Sequence, residues 1–224
     1  MARQLSFDLP VRPALGRDDF FVSPANAAAV AQIEGWQGWP ARKLLLTGPE
    51  GAGKTHLAHV WAARARATII AAPDLVTADI PALAARPVAV EEAETIARTG
   101  PAEKALFHLH NLALAEGQCL LVTSRLPPNR WGLALPDLAS RMEGTPAVSL
   151  DAPDDALLAA VLMKLLADRQ LSPSPETVPF LVNRIDRSFA AAREIVERLD
   201  EAALEHRKPI TRALAATLLD KPRP

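Results

Sequence analysis

Leu44-Leu45-Leu46-Thr47-Gly48-Pro49-Glu50-Gly51-Ala52-Gly53-Lys54-Thr55 decides the fold. An apolar run enters a glycine-rich turn, and a helix-forming stretch from His56 to Arg64 follows it. From Gly48 to Thr55 the turn fits the pattern G-x-x-x-x-G-K-S/T, and each fixed residue type has a physical reason. Glycines let successive backbone N–H groups point at phosphate oxygens. The helix that starts here adds the positive end of its dipole. Lys54 supplies a mobile charge for the β and γ phosphates, and Thr55 offers a hydroxyl to Mg²⁺. A chance glycine-rich turn would have no reason to lie between a strand and a helix.

Working outward, Thr68-Ile69-Ile70, Val88-Ala89-Val90, Cys119-Leu120-Leu121-Val122 and Ala147-Val148 share the texture of the Leu44 run. They are too short for helices and do not alternate polar with apolar. Strands buried on both faces of a parallel sheet read this way. Helical segments separate most of them, so the expectation is a doubly wound α/β fold with right-handed crossovers. Pro24 to Gln32 is alanine-rich and predicts a helix, with Ser23 as N-cap and Pro24 as first helical residue. Beyond Pro153, Leu157, Leu158, Val161, Leu162, Leu165 and Leu166 repeat at helical spacing. Pro173, Pro175 and Pro179 punctuate the next stretch. A helix from about Ser188 carries Phe189, Ala192, Val196, Leu199 and Ala203 on one side, and a last one holds Leu214 and Leu218. The boundaries predicted are a tail over 1–16, an α/β domain over 17–151 and a small all-α domain over 152–224. No internal repeat or low-complexity tract is visible.

Composition narrows the function classes. The 224 residues carry a net charge of −1, so a protein that grips nucleic acid through a basic surplus is not expected. The single cysteine, Cys119, cannot form an internal disulfide, which fits a reducing cytoplasm. No stretch reaches membrane-spanning length and no signal-peptide core is present, so the expected place is the cytoplasm.

A phosphate loop needs an acidic partner at the end of a neighbouring strand. Val88-Ala89-Val90-Glu91-Glu92 has that position, with Glu91 at the metal and Glu92 where a base would polarise water. Asp is the usual acid there. Glutamate is one methylene longer, which relaxes metal geometry and slows hydrolysis. The plainer alternative is a solvated acidic helix start that Glu94 extends. His56 and His59, three apart, read as satisfied helix histidines because no third metal ligand has fitting spacing. Trp36, Trp39, Trp61 and Trp131 read as packing residues, Trp131 with a possible second use against a partner. Glu194, Glu197, Arg198 and Glu201 read as a solvated face.

Further segments carry a family resemblance over nearly the whole chain. These are Asp19-Phe20-Phe21-Val22-Ser23-Pro24-Ala25-Asn26, Leu106 to Leu112, Val122-Thr123-Ser124-Arg125-Leu126-Pro127-Pro128, Leu135 to Arg141, and Ile185-Asp186-Arg187. They resemble, in family order, the AAA+ core of the replication initiator DnaA and, more closely, its short Hda-type relatives. The resemblance implies an AAA+ P-loop NTPase core with a parallel five-stranded sheet, followed by an all-α lid. It implies adenine packing at Val22 and Pro24, and ADP or ATP contacts at Gly48, Gly51, Ala52, Gly53, Lys54, Thr55, His56 and the sensor Ser124. Mg²⁺ would lie at Thr55 and Glu91, and Arg141 would be an arginine finger. Gln4-Leu5-Ser6-Phe7-Asp8-Leu9 resembles the hexapeptide that binds the DNA polymerase sliding clamp, with Gln4, Leu5, Phe7 and Leu9 making the contact.

One departure matters. The family's lid arginine that senses the γ-phosphate falls on Ala190, with Arg187 and Arg193 one turn to either side as substitutes. Two readings follow. The first is a regulator that binds the clamp and stimulates hydrolysis of DnaA-bound ATP, with no sequence-specific DNA binding of its own. The second is a DnaA-like ATPase or loader that turns over its own ATP. Homo-oligomerisation is open under both.

Overall fold

The computed structural model describes residues 21–206 and 209–220. Five strands form one parallel sheet: β1 (Lys43–Thr47), β2 (Thr68–Ala71), β3 (Val88–Glu91), β4 (Leu120–Ser124) and β5 (Ala147–Ser149). Their order is β2-β3-β4-β1-β5. Each apolar run read as a strand is one. The register pairs Leu45 with Val122 on one side and with Ala147 on the other. The inner strands β1, β3 and β4 are buried nearly throughout, while the edge strands β2 and β5 are only partly covered.

Successive side chains of a strand point to opposite faces, so each face collects its own core. Leu45, Val88, Val90, Leu120 and Val122 pack with Ile80 of α3 (Ile80–Ala84), Leu106 and Leu109 of α4 (Gly100–Ala115), and Leu138 and Met142 of α5 (Pro136–Glu143). Leu44, Leu46, Ala89 and Leu121 pack on the other face with Ile33 of α1 (Ala27–Glu34) and with Leu57 and Trp61 of α2 (Lys54–Ala65). Trp39 stacks on Trp61 with ring centroids 5.3 Å apart. A third cluster joins α6 (Asp155–Asp168), α7 (Thr177–Val182), α8 (Phe189–His206) and α9 (Arg212–Asp220) through Leu158, Leu162, Leu181, Val196, Leu199 and Ala215. Among the described residues no helix is long and apolar enough to cross a membrane.

The first helix starts later than the alanine content predicts. Asn26 is buried, donates from Nδ2 to the Phe21 carbonyl, and accepts the Ser23 N–H on Oδ1. These bonds turn Ser23-Pro24-Ala25 into a loop, and α1 begins only at Ala27. A short amide that bonds the nearby backbone competes with the helix, and here it wins.

Two buried polar groups anchor α5. The Glu103 carboxylate, fully buried on α4, accepts the N–H groups of Arg98 (2.6 Å), Ala134 (3.1 Å) and Leu135 (2.7 Å). It thereby fixes the entry to α5. At the other end, the buried Lys43 ammonium donates to the Arg141 carbonyl at 3.3 Å, and Thr145 donates its hydroxyl to the same oxygen at 2.8 Å. A cation suits the negative end of a helix. Lys43 also approaches His110 Nε2 at 3.4 Å, while His110 Nδ1 lies 3.2 Å from Asn111 Oδ1. Lysine has only donors, so Nε2 accepts and the imidazole is neutral, with its proton on Nδ1.

Two predictions follow from these anchors. Glu103→Ala leaves three backbone donors without partners, so urea unfolding should show a loss of about 3 kcal/mol or more. For His110, burial pushes the imidazole pKa below its ordinary value, reinforced by the charges of Lys43 and Arg141 against the opposing bond to Asn111. The unfolded chain takes up this proton near pH ~6.5 and the folded chain only at lower pH, so stability falls as pH drops below that point. The stability cost of His110→Gln should therefore be smaller at pH 5.5 than at pH 7.5 (urea midpoints).

Candidate nucleotide site

Parallel alignment brings the carboxyl ends of β1, β4 and β3 side by side. From them emerge the loop at Gly48, the Ser124–Arg125 turn and the Glu91–Glu92 pair. Ligands of open parallel sheets bind at this edge.

The loop has the backbone its glycines were expected to permit. Gly51 has φ +74° and Gly53 φ +98°, both left-handed. A Cβ at Gly51 would meet Ser188 Cβ at 2.4 Å, and one at Gly53 would meet the Phe189 ring at 2.8 Å. Ala52 and Lys54 are buried, and Thr55 at the start of α2 is exposed. Lys54 Nζ donates to the carbonyls of Gly48 (2.6 Å) and Pro49 (2.8 Å). An ammonium has three donors, so one remains for a phosphate oxygen. Burial lowers the Lys54 pKa first of all; Glu94, Glu92 and Glu50 oppose that shift, and Arg125 adds to it. His56 is half-buried on the first turn of α2.

The segment from Phe21 to Asn26 reaches the base of this loop through the backbone. Val22 and Pro24 are exposed on the turn that Asn26 holds. The Asp151 N–H donates to Ala25 O at 3.1 Å, and the Leu150 N–H donates to Thr47 O at 2.7 Å. Ser124 is fully buried, and its hydroxyl turns to its own loop, donating to Leu126 O at 2.6 Å. Its carbonyl accepts the Gly48 N–H at 3.2 Å, so what it supports is the loop backbone. Trp131 is buried and donates to Leu126 O at 2.7 Å, a packing role.

The acidic side holds more charge than Glu91 and Glu92. Glu92 has φ 55°, left-handed for a residue with a Cβ, and its N–H donates to Thr123 Oγ1 at 3.2 Å. Glu91 Oε1 and Glu94 Oε2 are buried and have no hydrogen-bond partner. Such carboxylate oxygens suit a divalent cation or its water. Among the described residues no group of three or more His, Cys, Asp or Glu side chains could hold a metal alone. Mg²⁺ at a phosphate site takes one or two carboxylates and completes its shell with water and phosphate, so Thr55 and Glu91 fit that demand.

The lid residues divide. Arg187 pairs with Asp155 at 2.8 Å on an exposed surface. Arg193 is exposed on α8, one turn beyond Phe189, and Ala190 is exposed too. The residues of this segment that reach the loop are Ser188 and Phe189, whose N–H donates to Gly51 O at 2.9 Å. Sequence reasoning missed that contact, and it missed the pairing of Arg125 with Glu50. Both join residues far apart in the chain, and no local pattern marks them. Arg141 is exposed near the end of α5, and its charge acts on Lys43 and His110. Gln4, Leu5, Phe7, Leu9 and Asp19-Phe20, where the resemblance begins, lie outside the described residues.

No protein-family model matches the chain. Solved structures do. Domain III of the Thermotoga maritima replication initiation protein DnaA superposes with a TM-score of 0.81 at 19% identity, over 94% of this chain and 98% of that one. Aquifex aeolicus DnaA bound to AMPPCP gives 0.71 at 17% identity, over 87% of this chain and 67% of that one. A Thermotoga maritima RuvB variant gives 0.68 at 17%, over 88% and 67%. With its five-stranded parallel sheet and phosphate loop, the chain has the AAA+ fold seen in the DnaA and RuvB domains.

Proposed function

We propose that this chain is a DnaA-related AAA+ regulator. It binds ADP or ATP with Mg²⁺, docks on the sliding clamp through Gln4 to Leu9, and offers Arg141 to the ATP of a neighbouring DnaA. The observation that carries this reading is the state of Arg141. Its backbone is held by Lys43 and Thr145, and its side chain is exposed with no carboxylate partner among the described residues. An anchored, unpaired guanidinium suits a phosphate that arrives from outside. It keeps its charge and donates two parallel hydrogen bonds, which lysine cannot do. In hydrolysis on the neighbour, water attacks the γ-phosphorus and ADP leaves, while Arg141 stabilises the charge that develops on the phosphoryl oxygens. The phosphate loop supports the nucleotide part of the proposal, because Lys54 is buried against the loop carbonyls with a donor to spare.

Lys54→Ala should remove most ADP binding in isothermal titration with Mg²⁺, and with it the rise in melting temperature that excess ADP gives the wild type. Absence of ADP binding by the wild type would refute the nucleotide assignment. Arg141→Ala and Arg141→Lys should fold and bind ADP normally, yet lose stimulation of ATP hydrolysis by ATP-loaded DnaA on DNA-loaded clamp. The loss should be about a thousandfold, the scale of an arginine finger. Full stimulation by Arg141→Ala would make Arg141 a plain surface arginine. Vigorous ATP turnover by the chain alone would favour the ATPase or loader reading.

A further inference from the structure

Arg125 follows Ser124 at the end of β4, and three carboxylates converge on it. Its Nη1 donates to Glu50 Oε2 at 2.9 Å, its Nε faces Glu94 Oε1 at 3.4 Å, and its Nη2 lies 3.7 Å from Glu92 Oε1. Its backbone N–H donates to Glu94 Oε1 at 3.0 Å. Glu50 belongs to the phosphate loop, whereas Glu92 and Glu94 follow β3, so the guanidinium bridges the loop and the acidic strand end. Exposed ion pairs are weak singly, and Arg125 is 44% exposed. Here one planar fork serves three partners, and Glu94 is only 12% exposed. The Glu92 backbone is fixed by its bond to Thr123 and by its left-handed φ. The Glu92 side chain is 54% exposed, and the charged group it faces is Arg125, at 3.7 Å.

We propose that Arg125 is a positioning residue that restrains Glu92 and keeps the chain's own nucleotide hydrolysis slow. The inference rests on the reading that the phosphate loop binds ATP. In hydrolysis, the water oxygen bonds to the γ-phosphorus and the bond from that phosphorus to the β–γ bridging oxygen breaks. ADP leaves with the bridging oxygen, and the proton of the attacking water passes to a carboxylate and on to solvent. On that reading Glu92, just after the end of β3, is the carboxylate that accepts the proton. Held against a guanidinium, its carboxylate is a poorer acceptor and is turned from the water. Glu50 and Glu94 hold Arg125 from the loop and from the strand end, so the restraint does not depend on Glu92 alone.

The test is steady-state turnover of the full chain at saturating ATP and Mg²⁺, with Arg125→Ala and Arg125→Gln compared with wild type. Expected is a rise in kcat of about tenfold or more, a share of the ~10²–10⁴ that a positioned base contributes, with KM for ATP little changed. Adding Glu92→Gln to Arg125→Ala should return the rate to the wild-type level. A merely structural Arg125 would lower both stability and rate. Variants that bind ATP yet turn over no faster than wild type overturn the proposal, as does a double variant that keeps the gain. Wild-type protein that binds neither ATP nor ADP overturns the nucleotide reading itself, and titration reveals that outcome before any variant is made.

Discussion

The ladder of backbone hydrogen bonds joining β3, β4 and β1 is the constraint on which the site depends. It pairs Val90 with Val122 and Leu45 with Val122, and so ends three strands at one edge. The phosphate loop, the Arg125 turn and the Glu91–Glu92 pair are continuations of those strands. Their separations are set by strand spacing, ~4.8 Å per step, before any side chain is considered. A slip of one residue in any inner strand would turn its apolar side chains to the wrong face and carry its site residues away from the edge.

The lid is tied to this edge through the backbone. Phe189 donates its N–H to Gly51, while Ser188 and Phe189 occupy the space that side chains at positions 51 and 53 would need. The glycines thus serve two demands, a left-handed backbone and close approach by α8. The start of α8 is also stiffened locally, because Ser188 Oγ accepts the Ala191 N–H at 3.0 Å. The start of α8 and the loop are therefore in direct contact.

Two arginines have opposite circumstances. Arg125 is engaged by Glu50, Glu92 and Glu94 beside the phosphate loop. Arg141 has an anchored backbone and a side chain without an acidic partner among the described residues. Beside Arg141, burial lowers the pKa of both Lys43 and His110, and the Arg141 charge adds to each shift. A helix terminus held by a lysine and a threonine can present a charged side chain outward without the helix end fraying.

The phosphate loop, the five strands and the apolar faces of α6 and α8 are legible in the chain. Each is a local pattern: glycines at fixed spacing, short runs of apolar residues, leucines at helical period. The sequence also placed Glu91 and Glu92 at a strand end. The start of α1 was misread, since Asn26 gains more from bonding Phe21 and Ser23 than from joining a helix. Which distant groups meet depends on how the elements pack. Glu50 and Glu92 are 42 positions apart in the numbering, and they share Arg125 because β3 and β1 both flank β4. Arg187 reads as a phosphate contact in the chain, yet Asp155 lies beside it in space. Spacing in sequence reports neighbours within one helix or strand, whereas charge pairs and buried carboxylates answer to the packing of elements against each other.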